Sequence, residues 1–230
     1  MGVPRVGRMG PQELRKEMDK FVVELSRTGL AIQSNTTVVE QLRGRRVLIT
    51  WSNSQALDTD MREYASWLEY VALVRGRQYT ALLSDFSLLQ MSYWLERGRI
   101  VKHRLGYFPC PLLVDPDEVE EWGLLDWLEL LRGEDLRERL RQDAPLRFDF
   151  DPAASGEGHS ASHLHVSRQC CRIPVYAPLS PGRFIHFIFS HFYPNDWSRS
   201  GFLRSWPCRQ APRTISPAER RELHLSVEND

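Results

Sequence analysis

The chain has 230 residues, 42% of them hydrophobic and 10% aromatic, so it can bury a well-filled core and lacks the composition of a disordered protein. Its 30 basic and 30 acidic residues cancel, so the global field gives no reason to expect nucleic acid. No apolar run approaches the roughly 20 residues of a membrane span, and residues 1–10 lack the apolar stretch of a secretory signal, so we expect a cytoplasmic protein with no membrane partner.

The first half of the chain predicts helices and a meander of strands. We expect a disordered N-terminus over residues 1–10 and one domain over residues 11–230. Apolar residues at helical spacing predict two helices, and β-prone runs separated by turn residues predict four strands. The helices are Pro11–Ser26 and Thr59–Val74, and the strands are Arg46–Trp51, Tyr79–Leu83, Leu88–Leu95 and Arg99–Tyr107.

The second half continues with an acidic helical region, three short strands and a final helical region. The predicted helices are Pro116–Leu131, Glu134–Gln142, Pro181–Phe192 and Pro217–Leu223, and the predicted strands are Leu146–Asp151, His163–Val166 and Arg172–Tyr176. The tail Asp196–Ala211 is expected to be irregular. Together these elements predict a single α+β domain with a mainly antiparallel sheet flanked by helices.

The strand runs around residues 150 and 165 alternate apolar and ionisable side chains. Because successive side chains of a strand point to opposite faces, Phe148 and Phe150 should meet the core while the residues between them face away. If the two runs pair as a hairpin, one sheet face carries an arginine, two carboxylates and two imidazoles. These residues are Arg147, Asp149, Asp151, His163 and His165.

This set of side chains can support acid–base chemistry on a phosphate. A carboxylate beside an imidazole fixes its tautomer and raises its basicity, and arginine can neutralise charge that develops on a phosphate. We therefore predict His163 and His165 as acid and base, Asp149 as the orienting group and Arg147 as a phosphate ligand. Arg168, Arg172 and Arg183 could bind further phosphate oxygens.

Two other interpretations of the same residues stay open. They can be ordinary ion pairs on a solvent-facing strand, which are common in antiparallel sheets. They also offer nitrogen and oxygen ligands for a divalent metal, although the prediction is for no cofactor. If a metal does bind, the expected ligands are Asp149, Asp151, His163 and His165.

Charge is unevenly distributed along the neutral chain. Residues 115–143 hold eleven acidic residues against four arginines, whereas residues 158–217 hold seven arginines against one acidic residue. This asymmetry is typical of an anionic ligand bound on one face, and of a protein partner that docks on the acidic helix 116–131. Ordinary helix surface charge explains it equally well.

Aromatic residues alternate with arginines between Trp197 and Arg213. Such a composition can stack bases and neutralise phosphates, so we predict nucleic-acid contacts, to RNA or single-stranded DNA, from Arg199, Arg204 and Trp206. A loop held in place by its own tryptophans is the alternative. The four cysteines form no C-x-x-C pair and are expected to be reduced thiols.

Several short segments resemble those of an uncharacterised bacterial family known only as a domain of unknown function. The segments are Arg147-Phe-Asp-Phe-Asp-Pro, Ser162-His-Leu-His, Cys171-Arg-Ile-Pro-Val and the helix that ends in His191-Phe-Tyr. An Arg-x-Asp run followed by a close pair of histidines is also similar to small toxin-type families that cleave RNA in bacterial conflict systems. That resemblance implies a site of Arg147, Asp149, His163 and His165.

The leading hypothesis is accordingly a nucleic-acid-processing enzyme, an endoribonuclease of a bacterial defence or toxin system. The alternative is a non-catalytic subunit of such a system that binds nucleic acid through its basic face or a partner protein through its acidic helix.

Overall fold

The computed structural model describes residues 9–54, 67–131, 133–156, 158–168, 170–209 and 211–226. Within these ranges the chain forms eight α-helices and nine strands. The helices are α1 Pro11–Arg27, α2 Trp67–Arg75, α3 Pro116–Trp122, α4 Leu124–Leu130, α5 Gly133–Arg139, α6 Pro181–Phe192, α7 Pro194–Arg199 and α8 Gly201–Arg204. The strands are β1 Ala31–Ser34, β2 Thr37–Gln41, β3 Arg46–Trp51, β4 Ala81–Leu83, β5 Leu88–Glu96, β6 Arg99–Phe108, β7 Leu146–Phe150, β8 Ser162–Val166 and β9 Ile173–Pro174.

All nine strands belong to one open antiparallel sheet, which confirms the predicted α+β class. The order β1-β4-β5-β6-β7-β8-β9 keeps β5 to β9 in sequence order, because each strand pairs with the one before it. The long strand β5 also holds β3 along its last residues, and β2 pairs with β3. The sheet therefore ends, on one side, in the short strands β7, β8 and β9.

The main core lies between one face of the sheet and the helices α1 and α6. Alternation along β5, β6, β7 and β8 turns Met91, Leu105, Phe148 and Leu164 to this face. The α6 helix begins with Ser180 as N-cap and Pro181 in its first turn, and its apolar stripe packs against the sheet. Its Phe184 and Phe187 rings contact Phe148 edge to face, so β7 is held directly on this core.

A second apolar cluster covers one end of the opposite face. There α2 and α4 pack on Leu82, Leu88 and Phe108, and Trp127 of α4 is buried among them. The rest of this face, toward β7 and β8, carries the ionisable side chains. The two sheet faces therefore differ: the face toward α1 and α6 is mostly apolar, with the buried His103 among its few polar residues, and the other is apolar only beside β4.

Several predictions at the ends of the chain are corrected by the structure. The tail predicted as irregular contains α7 and α8. Pro194 begins α7, and Ser200 caps α8, because its hydroxyl accepts a hydrogen bond from the N–H of Leu203. The helix predicted over Pro217–Leu223 is only a 3₁₀ turn over Glu219–Arg221. The acidic region is two helices, because Gly123 adopts a positive φ of 80° between them.

Some predictions fall outside the described residues. Residues 1–8, which were predicted to be disordered, and residues 59–66, the first half of the predicted second helix, belong to this group. Met9 is buried, and its N–H donates to the Gly98 carbonyl at 3.1 Å. Among the described helices, none is long and apolar enough to cross a membrane.

Candidate active site

The β7–β8 hairpin brings the predicted site residues together. In its register Arg147 lies opposite His165 and Asp149 lies opposite His163, so all four side chains share the face turned away from α6. Phe148 and Leu164, also opposite each other, face the core. The hairpin geometry that the alternation predicted is thus present, and its ionisable face is sheltered: His163 and His165 are each only 3% exposed.

Two imidazoles and a carboxylate converge at the centre of this face. His163 Nε2 and His165 Nε2 are 2.9 Å apart, and His165 Nε2 is 3.5 Å from Asp149 Oδ2. One ligand atom from each of the three residues lies within 4.8 Å of the other two. Arg147 Nε lies 2.9 Å from Asp149 Oδ2 and partly neutralises the carboxylate.

The protonation of His163 follows from its hydrogen bond to the backbone. Its Nδ1 lies 2.7 Å from the Ser160 carbonyl oxygen, which can only accept, so Nδ1 carries the proton. The neutral ring must then present a lone pair at Nε2, toward His165. His165 can donate a proton from its own Nε2 to this lone pair, and its buried Nδ1 has no hydrogen-bond partner among the described residues.

The electrostatic environment keeps the carboxylate charged and the imidazole neutral. Burial alone would raise the pKa of Asp149, but the hydrogen bond with His165 and the charges of Arg147 and Arg104 outweigh it and lower that pKa to about 2. Burial lowers the pKa of His163 to about 4, despite its bond to the Ser160 carbonyl. At neutral pH the centre therefore holds a carboxylate beside an uncharged imidazole.

Two residues that the sequence analysis did not select complete the surroundings. Arg104 of β6 pairs opposite Asp149, and its Nε lies 3.8 Å from Asp149 Oδ1. His159, in the turn before β8, stacks edge to face on His163 with ring centroids 4.8 Å apart. Alternation along β6 could have indicated Arg104. For His159 the sequence offered only its position, beside Gly158 and three residues before Ser162.

One predicted metal ligand does not join the cluster. Asp151 follows β7, where it pairs with Lys102 Nζ at 2.8 Å and caps the 3₁₀ turn that begins at Pro152 through the Ala153 N–H. Its carboxylate is already used by these two contacts. Of the four predicted ligands, therefore, only Asp149, His163 and His165 come together.

The contact between the two imidazoles restricts what they can do. A general acid and a general base that act on one phosphodiester must flank it, and two ring nitrogens 2.9 Å apart leave no space for a phosphate between them. They can instead act as one unit, which shares a proton or shares a cation. The assignment of His163 and His165 as separate acid and base requires the two rings to move apart, and it stays a prediction.

The predicted nucleic-acid contacts divide between the two sides of the sheet. Arg168 and Arg172 are exposed on the segment between β8 and β9. Arg172 is close enough to affect the site: the pKa of His159 is lowered mainly by burial and further by the charge of Arg172. Arg183, Arg199 and Arg204 lie on α6, α7 and α8, on the opposite side from His163. They cannot form one continuous surface with the β7–β8 hairpin.

Two of these residues are also less available than predicted. Trp206 is 6% exposed and packs edge to face on Phe21 of α1, so its ring is part of the core and cannot stack on a base. Arg183 is half-buried, and its Nε and Nη2 atoms have no hydrogen-bond partner among the described residues. The segment is therefore held by its own tryptophan, as the alternative interpretation proposed.

Comparison with known proteins shows a family but no activity. The chain belongs to the family described as Uncharacterized conserved protein (DUF2290), whose model matches residues 30–227. That range contains the whole β7–β8 hairpin. Neither a curated protein nor a solved structure shows significant similarity to the chain.

Proposed function

We propose that the chain is a nucleic-acid-processing enzyme that cleaves phosphodiester bonds at the β7–β8 hairpin, with RNA as its substrate. The observation that carries this proposal is the sheltered convergence of two imidazoles, a carboxylate and a guanidinium within one hairpin. An ordinary ion-paired strand exposes such groups to solvent, whereas here His163, His165 and Arg147 are all less than 10% exposed. Strongly shifted pKa values in such a cluster favour a functional site.

Phosphodiester cleavage matches the charges around this cluster. The phosphoryl group gains negative charge as it is attacked, and guanidinium groups stabilise that charge. Arg147 and Arg104 lie beside Asp149 at the centre, and Arg168 and Arg172 are exposed at the next turn. The exposed pair can bind backbone phosphates before the scissile bond reaches the centre.

RNA is the substrate we propose because the resemblance to toxin-type RNA-cleaving families concerns these same residues. A role in a bacterial defence or toxin system belongs to the same proposal. The 2′-hydroxyl would supply an internal nucleophile, so a centre that activates one hydroxyl or one water is sufficient. The contact between the imidazoles is compatible with such a single centre.

Incubation of the purified chain with RNA and with single-stranded DNA tests the proposal. We expect cleavage of RNA by the wild type, and loss of at least about 100-fold in rate in His163→Ala and His165→Ala. His191→Ala is the matched control, because His191 is an exposed histidine of α6 on the other side of the sheet. Equal cleavage by all four proteins would contradict the assignment of this site.

A second candidate function is that of a non-catalytic docking subunit. The acidic surface formed by residues 115–131 favours it. The segment 115–131 contains seven acidic residues and no lysine or arginine, and within it Trp122 is 53% and Leu130 61% exposed. Large apolar side chains within an acidic surface are typical of a docking site for a basic protein. Nucleic-acid binding without turnover, equal in the wild type and both histidine variants, would favour this candidate over the enzyme.

A further inference from the structure

We propose that His163, His165 and Asp149 bind one divalent transition-metal ion through His163 Nε2, His165 Nε2 and an oxygen of Asp149. The binding itself does not depend on the enzymatic proposal above. Its use, to activate a water or a hydroxyl for phosphodiester cleavage, rests on that proposed function. Two imidazoles and one carboxylate favour a borderline ion such as Zn²⁺ or Co²⁺ over Mg²⁺ or Ca²⁺, which prefer all-oxygen ligands.

The lone pair of His163 already points in the direction that a metal ligand needs. The Ser160 carbonyl fixes the proton of His163 on Nδ1, so the lone pair of Nε2 points to the shared centre without any rearrangement. Metal-binding histidines characteristically donate their second ring N–H to a carbonyl or carboxylate, which is the arrangement seen here.

The spacing of the ligand atoms is also close to that around a small ion. Ligands about 2.0–2.1 Å from one ion lie about 2.9 Å apart at a right angle and about 3.4 Å apart at the tetrahedral angle. The two imidazole nitrogens are 2.9 Å apart, and His165 Nε2 is 3.5 Å from Asp149 Oδ2. Two of the three separations therefore match those around one small ion, and all three ligand atoms lie within 4.8 Å of one another.

One atom of His165 faces both of its neighbours. Its Nε2 lies 2.9 Å from His163 Nε2 and 3.5 Å from Asp149 Oδ2, and a single N–H at that position cannot serve both fully. A cation at the centre accepts an electron pair from each of the three groups. His159, stacked on His163 and half-buried at the rim, stands where a further ligand or the substrate would approach.

The positive charges of Arg147 and Arg104 oppose the binding of a cation at this centre, which gives a further prediction. Arg147 Nε lies 2.9 Å from the Asp149 oxygen that a metal would need, and its positive charge repels a cation. We therefore expect Arg147→Gln to bind Zn²⁺ several-fold more tightly than the wild type. A structural histidine pair with no metal role predicts no such gain.

The test is a titration of the full chain, first stripped with a chelator, with Zn²⁺ against a chromophoric competitor. We expect one ion per chain, and affinity at least about 100-fold lower in His163→Asn and in His165→Asn, since even the loss of a residue that only orients a metal ligand costs about 10–100-fold. Co²⁺ added to the same proteins should give the visible absorption of nitrogen coordination in the wild type only. Circular dichroism confirms that each variant is folded, and Asp149→Asn, which keeps the side-chain shape, provides a third ligand variant.

Two controls separate this centre from other histidines. His191→Asn should leave the affinity unchanged, because His191 is exposed on α6. His186→Asn tests an alternative metal site, because His186 Nδ1 lies 3.2 Å from Cys208 Sγ and the two could together bind Zn²⁺. Binding that survives the His163 and His165 variants but disappears in His186→Asn would overturn the proposal, as would an absence of binding to the wild type.

The outcomes also distinguish this inference from the proposed function. Zn²⁺ binding at the predicted residues without RNA cleavage would support the metal site and remove the enzymatic proposal. RNA cleavage by a chain that binds no metal and is insensitive to chelator would remove the metal site and leave the enzyme in place.

Discussion

Asp149→Asn, studied in the chelator-treated chain, tests the electrostatics of the site independently of any activity. Asparagine has the shape of the neutral acid but cannot ionise, so the substitution isolates the stabilisation that the charged carboxylate receives from its neighbours. The side chain of Asp149 is 15% exposed, which leaves little solvent screening. We expect the variant to fold but to be less stable than the wild type at pH 7.

The size of the effect follows from the pKa. In the folded chain the pKa of Asp149 is lowered from 3.8 to about 2, because the His165 hydrogen bond and the charges of Arg147 and Arg104 outweigh the opposing effect of burial. Each pKa unit corresponds to about 1.4 kcal/mol, so the free energy of unfolding at pH 7 should fall by about 2 kcal/mol. Because the folded pKa lies below the unfolded one, this stabilisation is complete well above pH 3.8 and is lost as the pH falls through about 2. At pH 3 the difference should be about half of its value at pH 7.

Urea unfolding at pH 7 and pH 3, followed by circular dichroism, measures both quantities. Asp143→Asn is the matched control, because Asp143 is exposed in the segment before β7 and the same chemical change should cost no more than about 0.5 kcal/mol. An Asp149→Asn variant as stable as the wild type, or a difference that does not change with pH, would refute the described pairing.

Two further predictions concern stability away from the site. His103 is buried, and its Nε2 accepts a hydrogen bond from the Leu179 N–H. Burial lowers the pKa of His103 from 6.5 to about 4. Below pH 6.5 the unfolded chain therefore takes up a proton that the folded chain does not. This residue should lower the free energy of unfolding by about 2 kcal/mol between pH 7 and pH 5, and His103→Gln should remove that part of the pH dependence in urea unfolding. Gly182→Ala should destabilise the chain by about 3 kcal/mol in the same assay, because a Cβ there would lie 1.9 Å from the Pro207 carbonyl oxygen, whereas Gly201→Ala, with no atom within 4 Å, should not.

The part of the fold that could be predicted is the part where the sequence repeats with a clear period. Alternation in the runs around Phe148 and Leu164 predicted both strands, their core faces and, once they pair, the shared face of the site. The 3.6-residue period of α6 was equally clear. In both cases burial of the apolar set allows only one orientation, so the local pattern is sufficient.

Elements with no apolar period of their own could not be predicted. The strands β1 and β2 are four and five residues long, and only one side chain of each is buried, because they lie at the periphery of the sheet and are held by pairing with β4 and β3. The helices α7 and α8 are shorter than two turns and depend on contacts with α6 and on their caps. Tertiary contacts, rather than local preference, determine these elements.

The chemistry of the site depends on a contact that no sequence pattern contains. Alternation places His163 and His165 on one face, but it is the Ser160 carbonyl, presented by the turn before β8, that fixes the His163 proton and aims the Nε2 lone pair at His165. Because the rings touch, they act together on whatever occupies the centre, a shared proton or a shared ion. A shared proton and a shared ion predict different results in the Zn²⁺ titration, because only a shared ion gives binding that the wild type shows and the two histidine variants lose.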